Sequence, residues 1–211
     1  GVPGVTMAIS YPLALPSMFK VARITLRQNG VVGESVSPFS AEQQLYVHQG
    51  QYWEADIKLP PMLRDDAEDV LGALLSLSGK EGSFLLAAPN ATPRGAGGGT
   101  PLVDGASQTG LTLAVKGGPL STTNWLKAGD WIQLGSGSST RLHKVLVNAS
   151  TDGAGKATLD IWPRLRSSPA DSAAITITNC KGLFQLSSNS FEYEIGSAMI
   201  YGFALAARER L

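Results

Sequence analysis

The sequence predicts a mainly β protein: a discontinuous β-sandwich domain with one α-helix, interrupted by an inserted small β-barrel or sandwich domain. Three observations lead there. Alternating apolar and polar runs recur along the chain, a single stretch beginning at Asp65 keeps helical period, and residues 100–179 change to short β runs rich in Gly, Ser and Thr before the longer alternating runs of the N-terminal part resume.

Residues 19–27 alternate, with Phe19, Val21, Arg23, Thr25 and Arg27 on one side and Lys20, Ala22, Ile24 and Leu26 on the other. The apolar set changes side midway, so a bulge or a strand covered on both faces is expected. Asn29-Gly30 signals a turn. Residues 31–47 read as β with a break at Ser37-Pro38-Phe39-Ser40, and Gln49-Gly50 turns the chain again. Residues 52–59 are the clearest strand, with Trp53, Ala55, Ile57 and Leu59 on one face and Tyr52, Glu54, Asp56 and Lys58 on the other. Pro60-Pro61 ends it.

A helix is expected over residues 65–78. Ala67, Val70, Leu71, Leu74, Leu75 and Leu77 follow helical spacing, and Asp65, Asp66, Glu68 and Asp69 crowd the first turn, where carboxylates meet the positive end of the dipole. Asp65 and Glu68 have capping-box spacing, and Gly79 is the expected C-terminal glycine. Residues 84–87 return to β.

Pro89 to Ser107 then pack five glycines and three prolines into nineteen residues. A phosphate loop needs GxxxxGK[ST] between strand and helix, a dinucleotide site needs GxGxxG opening a helix, and neither is present. The segment is expected to be a linker where one domain stops and another begins. Asp152-Gly153-Ala154-Gly155-Lys156-Ala157 imitates the tail of a Walker motif, but Ser150 replaces its first glycine and Ala157 its hydroxyl, and β runs flank it, so a hairpin turn is expected. Further strands are predicted at 111–115, 130–134, 142–147, 157–162 and 174–178, then at 183–186, 191–195 and 199–206. The helix carries six apolar positions that need a full sheet, and the last thirty residues supply the missing strands. The expected division is therefore 1–92 with 181–211 as one domain and 98–179 as the inserted one.

Seventeen basic and seventeen acidic side chains cancel, which excludes a general electrostatic drive toward nucleic acid or an anionic membrane. No apolar run has the length of a membrane span, and no basic residue precedes Lys20, so the charged start of a secretory signal is lacking. Met7 is the expected natural start, with Gly1 to Thr6 an added remnant. Cys180 is the sole cysteine and His48 and His143 the only histidines, so no intrachain disulfide, structural zinc site or other cofactor is expected. Cys180 reads as a small buried apolar residue.

Candidates for chemistry are few. His48 beside a turn reads as a solvated loop residue and His143 as a surface strand residue, since no motif places a nucleophile or carboxylate on either. Glu54 and Asp56 share a strand face as paired glycosidase carboxylates would, but Lys58 continues that face and an ordinary solvent side or subunit contact is expected. An enzyme is not expected. Trp131 and Trp162, flanked by apolar residues, are assigned to the core of the inserted domain; Trp125, beside Asn124 and Lys127, is the candidate peripheral contact.

The segments SPFSAEQQLYVHQGQYWEADIKLPPM, the acidic-headed leucine helix, GKEGSFLLAAP, the inserted GTPLVDGASQTG with KAGDWIQLG and GKATLDIWPRLRSSPADSAAI, and the closing MIYGFALAARERL resemble tail-tip structural proteins of siphophages, the group that includes distal tail proteins. The resemblance is one of pattern and order over nearly the whole chain. It implies a β-sandwich domain that forms a ring, usually a hexamer of itself, between the tail tube protein and the tail hub or receptor-binding proteins, and a peripheral β domain. It also implies a virion location at the tail tip after synthesis in the host cytoplasm. The second domain is inserted here instead of following the first. Because DNA passes such a ring, its lumen is expected to be poor in positive charge, with Asp56, Asp65, Asp66, Glu68 and Asp69 outnumbering Lys58 and Arg64 as candidate lining; helix capping at the outer wall is the competing role for these acids. A carbohydrate-binding module of an adhesion device is the alternative function, and a hydrolase with an unrecognised site a third.

Overall fold

The computed structural model describes residues 9–211, so Met7 and the residues ahead of it lie outside the described part. In chain order the elements are β1 (Arg23–Asn29), β2 (Val32–Val36), β3 (Gln43–Val47), β4 (Tyr52–Lys58), α1 (Arg64–Ser76), β5 (Phe84–Ala87), β6 (Leu102–Val103), β7 (Gly110–Lys116), β8 (Trp131–Leu134), β9 (Arg141–Val145), β10 (Ala157–Leu165), β11 (Ile175–Thr176), β12 (Lys181–Leu186), β13 (Glu192–Ile195) and β14 (Tyr201–Glu209). The fold is mainly β with one helix, of the sandwich-plus-barrel kind. The chain divides into two compact units: one of residues up to Leu26, Glu54–Leu86 and Leu183–Arg210, the other of Arg27–Trp53 and Ala87–Gly182 with Leu211.

In the first unit a six-stranded sheet runs β1-β4-β14-β12-β5, with β13 also paired to β14. The terminal strand β14 is antiparallel to β4, β12 and β13 and so joins distant parts of the chain. Its residues alternate cleanly: Tyr201, Phe203, Leu205, Ala207 and Glu209 are buried, whereas Ala204, Ala206 and Arg208 are exposed. On β4 the buried set is Trp53, Ala55 and Ile57, as its spacing predicts. This is the signature of an antiparallel sheet packed on one face only.

The helix brings Ala67, Val70, Leu71 and Leu74 into the core of this unit. Tyr201 Oη donates to Glu68 Oε1 at 2.9 Å, which ties the helix to β14, and Tyr11 Oη donates to Ser76 O at 2.6 Å. Two expectations about its ends are corrected. The N-cap is Leu63, which has no side-chain cap bond, so Asp65 and Glu68 form no capping box; Glu68 engages Tyr201 instead. Helical residues end at Ser76, and the chain leaves through left-handed Ser78 and Gly79, where a side chain at Gly79 would meet Asn189 Cα at 2.9 Å.

The second unit holds a six-stranded sheet in the order β11-β8-β9-β10-β7-β6. Its two end strands meet, with Val103 N donating to Ala173 O at 2.9 Å and Ile175 N to Pro101 O at 3.0 Å, so the sheet is nearly closed into a barrel. Beside that seam Lys116 Nζ reaches Asp171 and Lys156 Nζ reaches Asp104, each at 2.8 Å. Inward-facing Val103, Leu113, Val115, Ile132, Leu134, Val145, Leu159 and Ile161 fill the barrel. Residues 27–53 group with this unit, whereas their sequence pattern assigns them to the first. The reason is an aromatic contact: Trp53 lies 4.4 Å from Trp162 and 5.2 Å from Trp131 between ring centres, and its Nε1 donates to Leu142 O at 3.1 Å.

The glycine cluster is no free linker. Asp130 is buried, and its carboxylate accepts from the backbone N–H groups of Arg94, Gly95 and Lys127. Ala96 N donates to Asn124 O, Gly97 N to Trp125 O and Thr100 N to Gly117 O. Glycine is required because the segment lies against the backbone of the barrel: a Cβ on Gly95 would collide with the carbonyl oxygens of Trp125 and Asn124. Gly95→Ala is therefore expected to destabilise the second unit by about 3 kcal/mol, read by chemical denaturation followed through tryptophan fluorescence. Unchanged stability would show that the segment is not held in this way.

Candidate functional site

The residues singled out for chemistry do not converge. His143 is buried, not at the surface; its Nδ1–H donates to Pro163 O at 2.8 Å. Burial lowers its pKa to about 4, and the charges of Arg166 and Arg141 act in the same direction while the bond to Pro163 opposes them. Glu54 and Asp56 lie on the open face of β4 opposite Arg208 and Ala206. Cys180 is buried, with Sγ 3.2 Å from Thr176 O, and burial raises its thiol pKa to about 11. Among the described residues no group of three His, Cys, Asp or Glu side chains is placed to hold a metal ion, and no helix is long and apolar enough to cross a membrane.

Trp125, the candidate peripheral contact, is corrected by the structure. It is fully buried in the barrel core, and its Nε1 donates to Gly98 O at 3.1 Å. The polar neighbours Asn124 and Lys127 give it a loop-like look, but the glycine segment covers it. Trp131 is buried with Lys144 Nζ 4.0 Å above its ring, and burial lowers the Lys144 pKa. Trp162 is half-buried. Trp131 and Trp162 both pair with Lys144 in register and so share one face of the barrel sheet, the face on which Trp53 lies.

Two features that sequence reasoning does not single out as sites stand out instead. The first is the hairpin of β2 and β3, a two-stranded sheet of its own. Its register puts Val32, Glu34, Val36, Gln43, Leu45 and Val47 on one face. All four aliphatic residues of that face are more than half exposed, and Gln43 Nε2 donates to Glu34 across the strands. The tip is ordered by Ser37, whose Oγ accepts from Phe39 N and Ser40 N, and Phe39 itself is 99% exposed. A two-stranded hairpin is marginal in water alone, and among the described residues nothing covers the aliphatic face of this one.

The second is a groove of about 380 Å³ in the first unit, on the open face of its sheet. Arg23 and Thr25 of β1, Asp56, Ile57 and Lys58 of β4, and Ala204, Leu205 and Ala206 of β14 line it. Exposed Ala204 and Ala206 make a low floor between longer neighbours. The signal for it is present as small residues at alternate positions of 199–206, but small residues alone do not announce a surface.

Compared with known proteins, the chain matches no family model and no curated protein.

Two outcomes follow from the buried side chains. His143 is neutral in the folded protein, so on acidification the unfolded chain takes up the proton first, below its ordinary pKa of 6.5, and stability drains between pH 6.5 and 4 by about 3 kcal/mol. Urea unfolding across that window should show a steeper acid loss for the native chain than for His143→Gln; parallel curves would contradict the assignment. Trp125→Ala should cost about 3–5 kcal/mol of stability in the same assay, as removal of a core aromatic does, whereas a surface contact residue would leave stability nearly unchanged.

Proposed function

We propose that the protein is a structural protein of a phage tail tip or baseplate, a non-enzymatic subunit whose copies close into a ring between the tail tube and the tip or receptor-binding apparatus and let DNA pass. The observation that carries this reading is the β2–β3 hairpin, with four aliphatic side chains on one face and Phe39 at its tip open to solvent. Such a surface is suited to burial against another subunit, and a ring of identical subunits is the closed arrangement that satisfies every copy in the same way. The order of sequence segments shared with siphophage distal tail proteins gives the setting, and six copies is the number that the resemblance implies. The barrel of the second unit, with its turn-rich connections, is assigned to the periphery. The acidic outer side of α1, with Asp65, Asp66 and Asp69 exposed, suits a wall along which DNA slides.

Native mass spectrometry of the purified chain tests this. A closed oligomer, six copies in the expected case, should appear, and Leu45→Asp with Val47→Asp should reduce it to folded monomer because both positions are already exposed in one copy. A chain that stays monomeric at high concentration, in the presence of tail tube protein as well, would overturn the reading.

A further inference from the structure

We infer that the end of the second unit's barrel where β9 begins and β10 ends is a binding site for a phosphate-type oxyanion, with Thr140, Arg164 and Arg166 as its donors. The site lies within one copy of the chain and stands whether or not copies form a ring.

Strand order puts these residues together. β9 and β10 are antiparallel neighbours, so the start of one and the finish of the other share one end of the barrel. The stretches there, residues 135–141 and 163–168, contain three arginines, five serines and a threonine and no acid, in a chain whose charges cancel overall. Alternation from the Trp162–Lys144 pair carries Thr140, Arg164 and Arg166 to one face of the sheet and Arg141 with His143 to the other. Asp171, the next acid along the chain, is already engaged by Lys116 Nζ and Gly105 N, each at 2.8 Å.

The two strands part at this end. Their pairing stops at Trp162 and Lys144, and the register of β10 against β7 shifts between Asp160 and Leu165. Side chains take up the backbone groups with which the ladder would continue: Trp53 Nε1 donates to Leu142 O at 3.1 Å, Arg164 N to Gln51 Oε1 at 3.0 Å and His143 Nδ1 to Pro163 O at 2.8 Å. Those backbone groups are thereby satisfied, but two side-chain donors are not. Thr140 Oγ1 and Arg164 Nε are buried without a hydrogen-bond partner among the described residues. Burying such a group unmet costs about 1–3 kcal/mol, and more where it is charged, so their position calls for an acceptor.

Charge and shape name that acceptor. A planar guanidinium binds phosphate oxygens through parallel bonds, and a hydroxyl adds one more donor to the same group. Burial is the main cause of the low pKa of His143, and the charges of Arg166 and Arg141 add to it against the bond to Pro163, so a positive field reaches into this end of the barrel. An anion gains from that field and a neutral ligand does not.

Calorimetric titration of the whole chain with inorganic phosphate, in chloride buffer of constant ionic strength, tests the site. Saturable binding is expected, weakened about tenfold in Arg164→Gln and in Arg166→Gln. Thr140→Val removes the hydroxyl at nearly constant volume; it should weaken phosphate binding about threefold while leaving stability in urea without phosphate unchanged or higher, which a merely structural hydroxyl would not do. Should Arg164→Gln fail to fold, Arg164→Lys, which keeps the charge and loses the fork, takes its place and should bind less tightly than the native chain. Glycerol phosphate is the second probe: binding equal to that of inorganic phosphate shows that the site accepts the group on an ester, and binding of inorganic phosphate alone shows a site for the free ion. Absence of saturable binding overturns the proposal, as does binding that Arg164→Gln and Thr140→Val leave unchanged. A melting temperature that climbs steadily with phosphate, equally in every variant, is a general salt effect and overturns it too.

Discussion

The pairing of β14 is the constraint on which the first unit depends. Tyr201–Glu209 runs antiparallel to β4, β12 and β13, so the sheet cannot exist until the end of the chain has returned across a long intervening segment. Closing so long a loop costs entropy that grows only slowly with length, about 0.6 kcal/mol per doubling, and the return is therefore cheap compared with the apolar burial it allows. The same strand decides which face is buried. With Tyr201, Phe203, Leu205 and Ala207 turned inward, Ala204 and Ala206 have no choice but to face outward, because a slip of one residue would exchange the two sets. The open face of the sheet is thus a direct consequence of how its core is packed.

The second unit is held by a different device. Asp130 collects three backbone N–H groups, from Arg94, Gly95 and Lys127, and that arrangement lays the glycine segment on the barrel. Bonds from a charged acceptor contribute more than neutral ones, and a buried carboxylate left without them would carry a large desolvation cost. The segment in turn covers Trp125 and receives its indole N–H through Gly98 O. Glycine richness here serves close approach, in the sense that no side chain fits between the two backbones.

On the proposed reading, the contrast between these closed cores and the exposed hairpin is what a subunit of an assembly requires. The apolar core residues of both units are buried within the chain, while Val32, Val36, Leu45 and Val47 on the two-stranded sheet and Phe39 in its turn are left open. Surface of that kind is a liability for a solitary protein and an asset for a subunit.

Local periodicity determined much from sequence alone. The period-two pattern of residues 52–59 and the helical spacing after Asp65 place those elements and most of their buried faces, Leu75 being the exception that the structure leaves exposed, because side-chain direction along a strand or helix is set by neighbouring backbone. The class of the fold was legible for the same reason, as was the failure of the Gly-rich segments to match any phosphate motif. The tertiary structure alone decided the fate of single residues. Trp125 is buried because Gly98 and its neighbours cross over it, His143 because Pro163 closes on it, and Glu68 turns from capping to Tyr201, which is 133 positions away. It also decided that residues 27–53 belong with the barrel, through Trp53 and its two partner tryptophans. Burial is a sum over contacts from distant parts of the chain, and local pattern carries the direction of a side chain without carrying what stands in front of it.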